Sequence, residues 1–234
     1  MEKVKKIWYK IKEFGPIGDT YEKFIGAKKV ARLKKAQREE LIRDGEKYIQ
    51  IIENTLRESG ALYYAYAGTL LGAIRDADFI NWDLDIDYAV VITEKFTWKD
   101  LEAQLNKVGF KKTRELVVKK SVKEQSYACG RLNIDFFGQF YCEDKMIQYS
   151  FEYIPNYRYN NSDERSVYLV TLPKVKKTKV IMMKNIAISV PVNSEEILTA
   201  IYNEDWRIPN PNWKSNSGNC SILLEDTIGY QIMF

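Results

Sequence analysis

The stretch that decides the fold runs from Gly68 to Tyr88 and reads GTLLGAIRDADFINWDLDIDY. Near its end, aspartates stand at every second position: Asp83, Asp85 and Asp87. Because side chains alternate between the two faces of a β-strand, this spacing predicts three carboxylates on one face of a strand over 83–92. The intervening apolar residues then face the core.

This arrangement of carboxylates predicts a metal site. Neighbouring carboxylates repel one another and raise one another's pKa unless a cation neutralises them, and proteins accept that cost where a divalent metal binds. The turn at Gly68 and Thr69 comes about fifteen residues earlier and precedes a predicted short helix over 70–75. A glycine turn at a helix N-terminus can approach a phosphate closely. Metal and phosphate together indicate phosphoryl or nucleotidyl transfer.

The composition restricts the chemistry. The chain has 234 residues and no histidine, which excludes a Ser-His-Asp triad and a histidine-ligated metal. Its three cysteines, Cys129, Cys142 and Cys220, are widely spaced, so neither a zinc site nor a disulfide framework is expected. Oxygen ligands favour a hard cation, Mg²⁺ or Mn²⁺.

The charge is concentrated in the N-terminal arm. Residues 1–47 hold 14 Lys/Arg and 8 Asp/Glu, which leaves 22 and 24 for the rest of the chain. A body without net positive charge argues against a nucleic-acid partner. Residues 1–14 read as a basic amphipathic helix, which would either contact an anionic membrane surface or pack on the body. No apolar run reaches the length of a membrane span or a signal sequence, and a cytoplasmic protein is expected.

The periodicity predicts a mixed α+β chain with strands clustered between helices. A less regular helical segment is expected at 19–36, and the strongest helix at 37–59 has a core stripe of Leu41, Tyr48, Ile52 and Leu56 and ends at Gly60. Another helix is expected from Asn193 to Tyr202, with Asn193 and Glu196 as a capping box. Strands are expected at 62–67, 83–92, 115–119, 125–129, 132–137, 146–152, 167–172 and 186–190, helix at 98–108, and loop at 154–166.

Two segments resemble a known family. GTLLGAIRD followed by WDLDID resembles the LicD/fukutin-type transferases, a branch of the nucleotidyltransferase-fold superfamily. Asn81 stands where the family has Pro, and Leu84 replaces one Asp of its Ile-Pro-Trp-Asp-Asp-Asp-Ile-Asp run. The segment ISVPVNSEEILTAIYNEDWRIPNPNW, Ile188 to Trp213, is similar to the family's helix ending in Leu-x-x-x-Tyr and its Asp-Trp turn. The resemblance covers about Leu62 to Trp213.

The resemblance implies a nucleotidyltransferase fold, with a mixed central sheet flanked by helices and an N-terminal helical extension. It divides the chain into a basic extension, residues 1–45, and a catalytic domain, residues 46–234. It also implies that Asp85 and Asp87 are catalytic metal ligands. Asp83 either joins them as a ligand or orients the pair from the end of the loop.

A third carboxylate is expected on a neighbouring strand. Asp135, in LNIDFF, repeats the apolar–Asp–apolar pattern about fifty residues later. The resemblance implies that Asp135 is catalytic, either as a ligand of a second metal ion or as the acceptor of the proton of the incoming hydroxyl. The alternative is a single acid on an exposed strand face.

Substrate-binding residues are expected around these aspartates. Gly68 and Thr69 resemble the superfamily's Gly-Ser phosphate turn, although Thr69 could equally be a plain helix cap. Arg75 would clamp a phosphate or pair with a neighbouring aspartate. Trp82, Trp206 and Trp213 are pocket candidates, since aromatic faces recognise quaternary ammonium groups, with ordinary core packing as the alternative.

The resemblance implies an enzyme of polysaccharide biosynthesis. A LicD-like phosphotransferase would use Mg²⁺ or Mn²⁺ to transfer a phosphoalcohol from a CDP-alcohol, with CDP-choline the leading candidate, to a hydroxyl of a cell-surface or lipid-linked glycan, releasing CMP. The first alternative keeps the fold and transfers a nucleotide from an NTP to a small molecule or protein, releasing pyrophosphate. The second is a catalytically silent glycan- or partner-binding module, which the loss of the Asp at Leu84 leaves open.

Overall fold

The computed structural model describes residues 27–155, 157 and 159–234. It contains four helices in those ranges: α1 (Ala27–Ser59), α2 (Ala67–Arg75), α3 (Trp98–Lys107) and α4 (Ser194–Tyr202). The described strands are β1 (Tyr63–Ala65), β2 (Asp85–Val91), β3 (Lys111–Val118), β4 (Ser121–Cys129), β5 (Leu132–Cys142), β6 (Lys145–Glu152), β7 (Glu164–Pro173), β8 (Thr178–Met183), β9 (Ile186–Pro191) and β10 (Ser221–Met233).

Eight strands form one curved sheet in the order β1-β2-β5-β4-β3-β10-β7-β6. The long strand β5 also pairs with β6, so the sheet curls back on itself. The pair β2–β5 is parallel and its other pairs are antiparallel. Strands β8 and β9 form a separate hairpin. The predicted mixed α+β sheet with flanking helices is therefore confirmed.

Helix α1 covers one face of the sheet. The predicted stripe is buried at all four positions, because residues three and four apart lie on the same helix face. Gly60 ends the helix with φ +67°, a conformation that glycine adopts without steric cost. In its described part the helix is continuous from Ala27 and crosses residues 45 and 46, so the predicted segments 19–36 and 37–59 are not separated there.

A buried carboxylate attaches α1 to the sheet. Glu53 is 1 % exposed and accepts hydrogen bonds from the hydroxyls of Tyr63 and Tyr88 and from the backbone and side chain of Ser189. With several donors, the carboxylate satisfies the hydrogen-bonding requirement of a buried charge. Tyr88 reaches this face of the sheet, so its neighbour Asp87 points to the opposite face.

The structure corrects several predicted boundaries. Strand β2 begins at Asp85, so Asp83 lies in the preceding loop. Strand β7 begins at Glu164, which shortens the predicted loop at 154–166. The strands β8 and β10 were not predicted, because β8 (TKVIMM) has no alternation of polar and apolar residues and β10 lacks regular alternation of buried and exposed residues. The β10 register also shifts between Leu223 and Ile228.

Two further predictions concern the N-terminal helix and the N-terminal cap of α4. The amphipathic helix predicted at 1–14 lies outside the described residues. Asn193 does precede α4, but its side chain makes no capping bond to the backbone of the helix. Its amide instead donates to the Glu196 carboxylate at 3.2 Å. Over its described length the chain contains no helix with the length and apolar character needed to span a membrane.

Candidate active site

The parallel pair of strands β2 and β5 places two aspartates side by side. Asp87 and Asp135 are direct partners in the register, and Asp85 pairs with Asn133 two residues earlier. Directly opposed residues on neighbouring strands project from the same face. The tertiary structure therefore brings Asp135 to the predicted pair, although about fifty residues separate them in sequence.

Asp83 reaches the same place from the loop. Its carboxylate lies against Gly68, because a Cβ placed on that glycine would lie 2.5 Å from Oδ2 of Asp83. Its backbone N–H donates to the carbonyl of Ile80 at 3.1 Å, and its carbonyl accepts from Arg38 at 3.4 Å. The prediction of three carboxylates on one strand was thus wrong for Asp83, which the loop turn positions instead.

These carboxylates line a cavity of about 680 Å³. Most of the predicted site residues share its walls: Gly68, Arg75, Trp82, Asp83, Asp85, Asp87, Asp135, Trp206 and Trp213. The walls come from α2, β2, β5 and the segment after α4, so the cavity forms only when distant parts of the chain assemble. Among the predicted site residues, Thr69 is the one that does not line the cavity, and Leu84, where the family has an Asp, does not line it either.

The cavity floor is strongly acidic. The pKa of Asp87 is raised well above its usual range, first by burial and then by the charges of Asp85, Asp135, Asp83 and Glu124. Asp87 is 9 % exposed, so water screens this repulsion poorly. A cation bound here would favour the ionised form of Asp87.

The donor set is chemically suited to a hard cation. Aspartate oxygens are the ligands that Mg²⁺ and Mn²⁺ prefer. Within the described ranges, no three His, Cys, Asp or Glu side chains already form a group that could hold a metal ion. Mg²⁺ commonly takes only one or two carboxylates and completes its shell with substrate phosphates and water. Asp85 and Asp87, with Asp135 beside them, fit that mode.

Thr69 supports the site from behind. It is 2 % exposed and lies in the first turn of α2, and its hydroxyl accepts a 2.9 Å hydrogen bond from the backbone N–H of Asp87. The N-cap residue of α2 is Tyr66, so the alternative interpretation of Thr69 as the cap is wrong. Gly68 and Ala67, at the start of the same helix, line the cavity.

Arg75 lines the cavity and forms a salt bridge with Asp76. Its guanidinium makes two hydrogen bonds to Asp76, at 2.9 and 2.7 Å, and these raise the pKa of Arg75. It also lies over the ring of Trp82, 5.9 Å from the ring centroid. Asp78, the other partner considered, pairs with Lys184 at 3.1 Å. Arg75 therefore forms the predicted salt bridge, with Asp76, and also lines the cavity.

The aromatic candidates differ in exposure. Trp82 is 37 % exposed at the rim, whereas Trp206 is 4 % exposed. The indole N–H of Trp206 is buried, and no acceptor lies within hydrogen-bonding distance among the described residues. Trp213 packs against Tyr202 with ring centroids 5.2 Å apart. All four rings line the cavity.

A family model described as "LicD/FKTN/FKRP, nucleotidyltransferase domain" matches residues 60–191, more than half of the chain. The chain belongs to this family. The matched range contains α2, β2 and β5, and hence all four aspartates and Gly68. It ends before the tryptophans at 206 and 213. No curated protein matches the chain.

Membership in the LicD/FKTN/FKRP family indicates a transferase, and the structure shows which further residues its cavity uses here. Arg114 of β3 was not predicted, yet it is 8 % exposed and lines the cavity. Its guanidinium donates to Glu124 at 2.6 Å and to Ser126 at 3.0 Å, and it lies 3.6 Å from Asp135. No sequence signal marks Arg114, because its role depends on the pairing of β3, β4 and β5.

Tyr202 could have been found from the sequence. It is the tyrosine of the Leu-x-x-x-Tyr motif and lines the cavity with Asn203 and Asp205. Its pKa is raised well above the usual range by burial and by the charges of Asp87, Asp83 and Asp85. A protonated phenol close to these carboxylates is a hydrogen-bond donor at the acidic floor.

Proposed function

We propose that the protein is a metal-dependent phosphotransferase that moves a phosphoalcohol from a CDP-alcohol to a glycan hydroxyl, with CDP-choline the leading donor. The observation that supports it most is the side-by-side placement of Asp87 and Asp135 on parallel strands, in a cavity that the first residues of α2 also line. Membership of the family supports a transferase reaction.

In this proposal, Asp85 and Asp87 hold Mg²⁺ or Mn²⁺, and Asp83 and Asp135 complete the acidic set. The bound cation would neutralise the donor's phosphate charge and the charge that develops during transfer. Thr69 fixes the backbone of Asp87 by its 2.9 Å hydrogen bond, so the carboxylate is held before the donor binds. Because Gly68 has no side chain, the Asp83 carboxylate packs against the start of α2, at the edge of the cavity.

The transfer step forms one bond and breaks one. The oxygen of the acceptor hydroxyl bonds to the β-phosphorus, the bond from that phosphorus to the bridging oxygen breaks, and CMP leaves with that oxygen. Asp135 accepts the proton of the attacking hydroxyl. Arg114, 3.6 Å from Asp135, stabilises the ionised form that this role requires.

The cavity supports recognition of the alcohol as well. The rings of Trp82, Tyr202, Trp206 and Trp213 line it, and aromatic faces attract quaternary ammonium groups. The carboxylates of the floor would interact with the metal and the diphosphate and not with the alcohol. CDP-ribitol, CDP-glycerol and CDP-ethanolamine should therefore be tested as donors in the same experiment. Leu84 does not line the cavity, so replacing the family's Asp there leaves the acidic wall in place.

The experiment incubates the protein with each CDP-alcohol and Mg²⁺ or Mn²⁺, with and without glycan acceptors, and quantifies CMP. Metal-dependent CMP release supports the proposal. Pyrophosphate release from an NTP, with no CMP from any CDP-alcohol, would identify a nucleotidyltransferase instead. Turnover that requires Zn²⁺ after EDTA treatment would contradict the hard-cation assignment. The Asp87→Asn variant is the matched inactive control.

A further inference from the structure

The β8–β9 hairpin carries an unusual combination of charge and apolar exposure. The segment 173–194 contains five lysines, Lys174, Lys176, Lys177, Lys179 and Lys184, and no acidic residue. It also exposes Val180 by 61 %, Met182 by 60 % and Val192 by 56 %, among the largest exposed fractions of apolar side chains in the described chain. The basic and apolar groups thus occur on the hairpin and on the residues directly before and after it.

The apolar exposure follows from how the hairpin is placed. Strand β9 packs into the core, where Ile188 and Val190 are fully buried. Strand β8 pairs only with β9 within the described residues, so it lies on the outside. Val180 and Met182 are two positions apart and therefore project from the same face. Nothing in the described chain covers them.

Protection of a free strand edge does not explain this surface. Lysines on an edge strand discourage pairing with another chain, and this accounts for Lys179. It does not account for two neighbouring aliphatic side chains that are about 60 % exposed. Exposed apolar groups bordered by charge are typical of interaction sites.

The chemistry of the surface favours a lipid partner. Lys176, Lys177 and Lys179 are exposed and can attract an anionic leaflet, and aliphatic side chains can enter the boundary between headgroups and acyl chains. A nucleic-acid surface would instead offer aromatic rings or arginine for the bases, and residues 173–194 contain neither. We propose that the β8–β9 hairpin, through its lysines with Val180 and Met182, docks the protein on an anionic membrane surface.

Docking at this hairpin would hold the cavity close to the membrane. The backbone N–H of Lys184, at the hairpin turn, donates to the carbonyl of Ala77 at 2.8 Å, and its side chain pairs with Asp78. The same loop continues to Ile80 and Trp82, which line the cavity. The hairpin is therefore joined directly to the rim of the candidate active site.

The test is co-sedimentation of the full chain with vesicles of phosphatidylcholine alone or with added phosphatidylglycerol. One variant reverses charge, Lys177→Glu with Lys179→Glu, and another removes apolar surface, Val180→Ser with Met182→Ser. Both change exposed side chains. The controls are Lys119→Glu with Lys120→Glu, on the exposed β3–β4 turn, and Ile222→Ser, which is 64 % exposed elsewhere.

We expect wild type to bind only the anionic vesicles, and both hairpin variants to bind about tenfold more weakly, whereas both controls bind like wild type. Equal binding of hairpin variants and wild type would overturn the proposal, as would equal losses in the controls. Binding that is retained by the apolar variant and lost only by the charge variant would contradict the insertion of Val180 and Met182 and overturn the proposal as stated. If wild type is a dimer in solution and the apolar variant is a monomer, the surface binds a second copy of the chain, and the proposal is overturned. None of these outcomes depends on turnover, so the proposed function is tested separately.

Discussion

The backbone N–H of Asp87 donates a 2.9 Å hydrogen bond to the hydroxyl oxygen of Thr69. This bond joins the first turn of α2 to strand β2, so the turn proposed to bind phosphate and the strand proposed to bind the metal are held as one unit. Both residues are buried, and a buried donor that loses its partner carries the full cost of desolvation.

Thr69→Val therefore leaves the Asp87 N–H without its acceptor while nearly preserving the side-chain shape. We expect a loss of about 1–3 kcal/mol in the free energy of unfolding, together with reduced transfer because Asp87 is less well held. Thr69→Ser keeps the hydroxyl and should retain both properties better. Urea unfolding of the two variants measures the difference. Equal stability of the valine and serine variants would show that the bond contributes nothing.

Asp87→Asn should abolish transfer and raise the melting temperature measured without added metal. The repulsion that raises the pKa of Asp87 disappears when its charge is removed. Mg²⁺ should raise the melting temperature of wild type but not of the variant, because a ligand stabilises only the state it binds. Asp226→Asn, at an exposed position, is the control. Turnover within about tenfold of wild type, where a loss of several kcal/mol of transition-state stabilisation is expected, would remove Asp87 from the site.

Gly68→Ala tests the loop aspartate without changing any charge. The added Cβ would lie 2.5 and 2.9 Å from the two carboxylate oxygens of Asp83, so that side chain must move. If Asp83 positions the metal or donor, the variant should lose activity as Asp83→Asn does while keeping its fold by circular dichroism. A fully active alanine variant would limit Asp83 to a structural role in the loop.

The ion pair between Arg114 and Glu124 should be strongly coupled. Breaking a buried ion pair by removing one partner typically costs about 3–5 kcal/mol. Arg114 still lies 3.6 Å from Asp135 when Glu124 is removed, so we expect a smaller loss from that variant. We expect Arg114→Met and Glu124→Gln each to destabilise the protein, and the double variant to lose less than the sum of the two. Denaturant unfolding of all four proteins completes the cycle. Additive losses would mean that the pair contributes no interaction energy.

Alkaline pH should unfold the protein through its buried tyrosines. Burial raises the pKa of Tyr64, Tyr66, Tyr88 and Tyr127 above the ordinary value near 10. Above about pH 10 the unfolded chain releases these protons more readily than the folded chain, so the stability present at lower pH is lost as pH rises. Phenolate absorbance of these residues should increase together with loss of tertiary circular dichroism. Their ionisation in a folded protein would contradict the prediction.

Local sequence patterns predict much of the candidate site. The alternation of Asp85 and Asp87 with apolar residues specifies a strand with one acidic face, since the side-chain period of a strand is two residues. The stripe of α1 and the glycine after it specify the longest described helix and its end. These patterns depend only on residues a few positions apart in the sequence, so they can be recognised without the tertiary structure.

Pairing between distant segments decided the remainder. Asp135 lies beside Asp87 because β5 pairs with β2. Arg114 reaches Asp135 because β5 also pairs with β4, and β4 pairs with β3. The Thr69 hydroxyl accepts a hydrogen bond from the Asp87 N–H because α2 packs against β2, a contact that the sequence did not indicate. Sequence periodicity specifies which face a side chain occupies, whereas strand order and register, which depend on long-range packing, specify what it meets there.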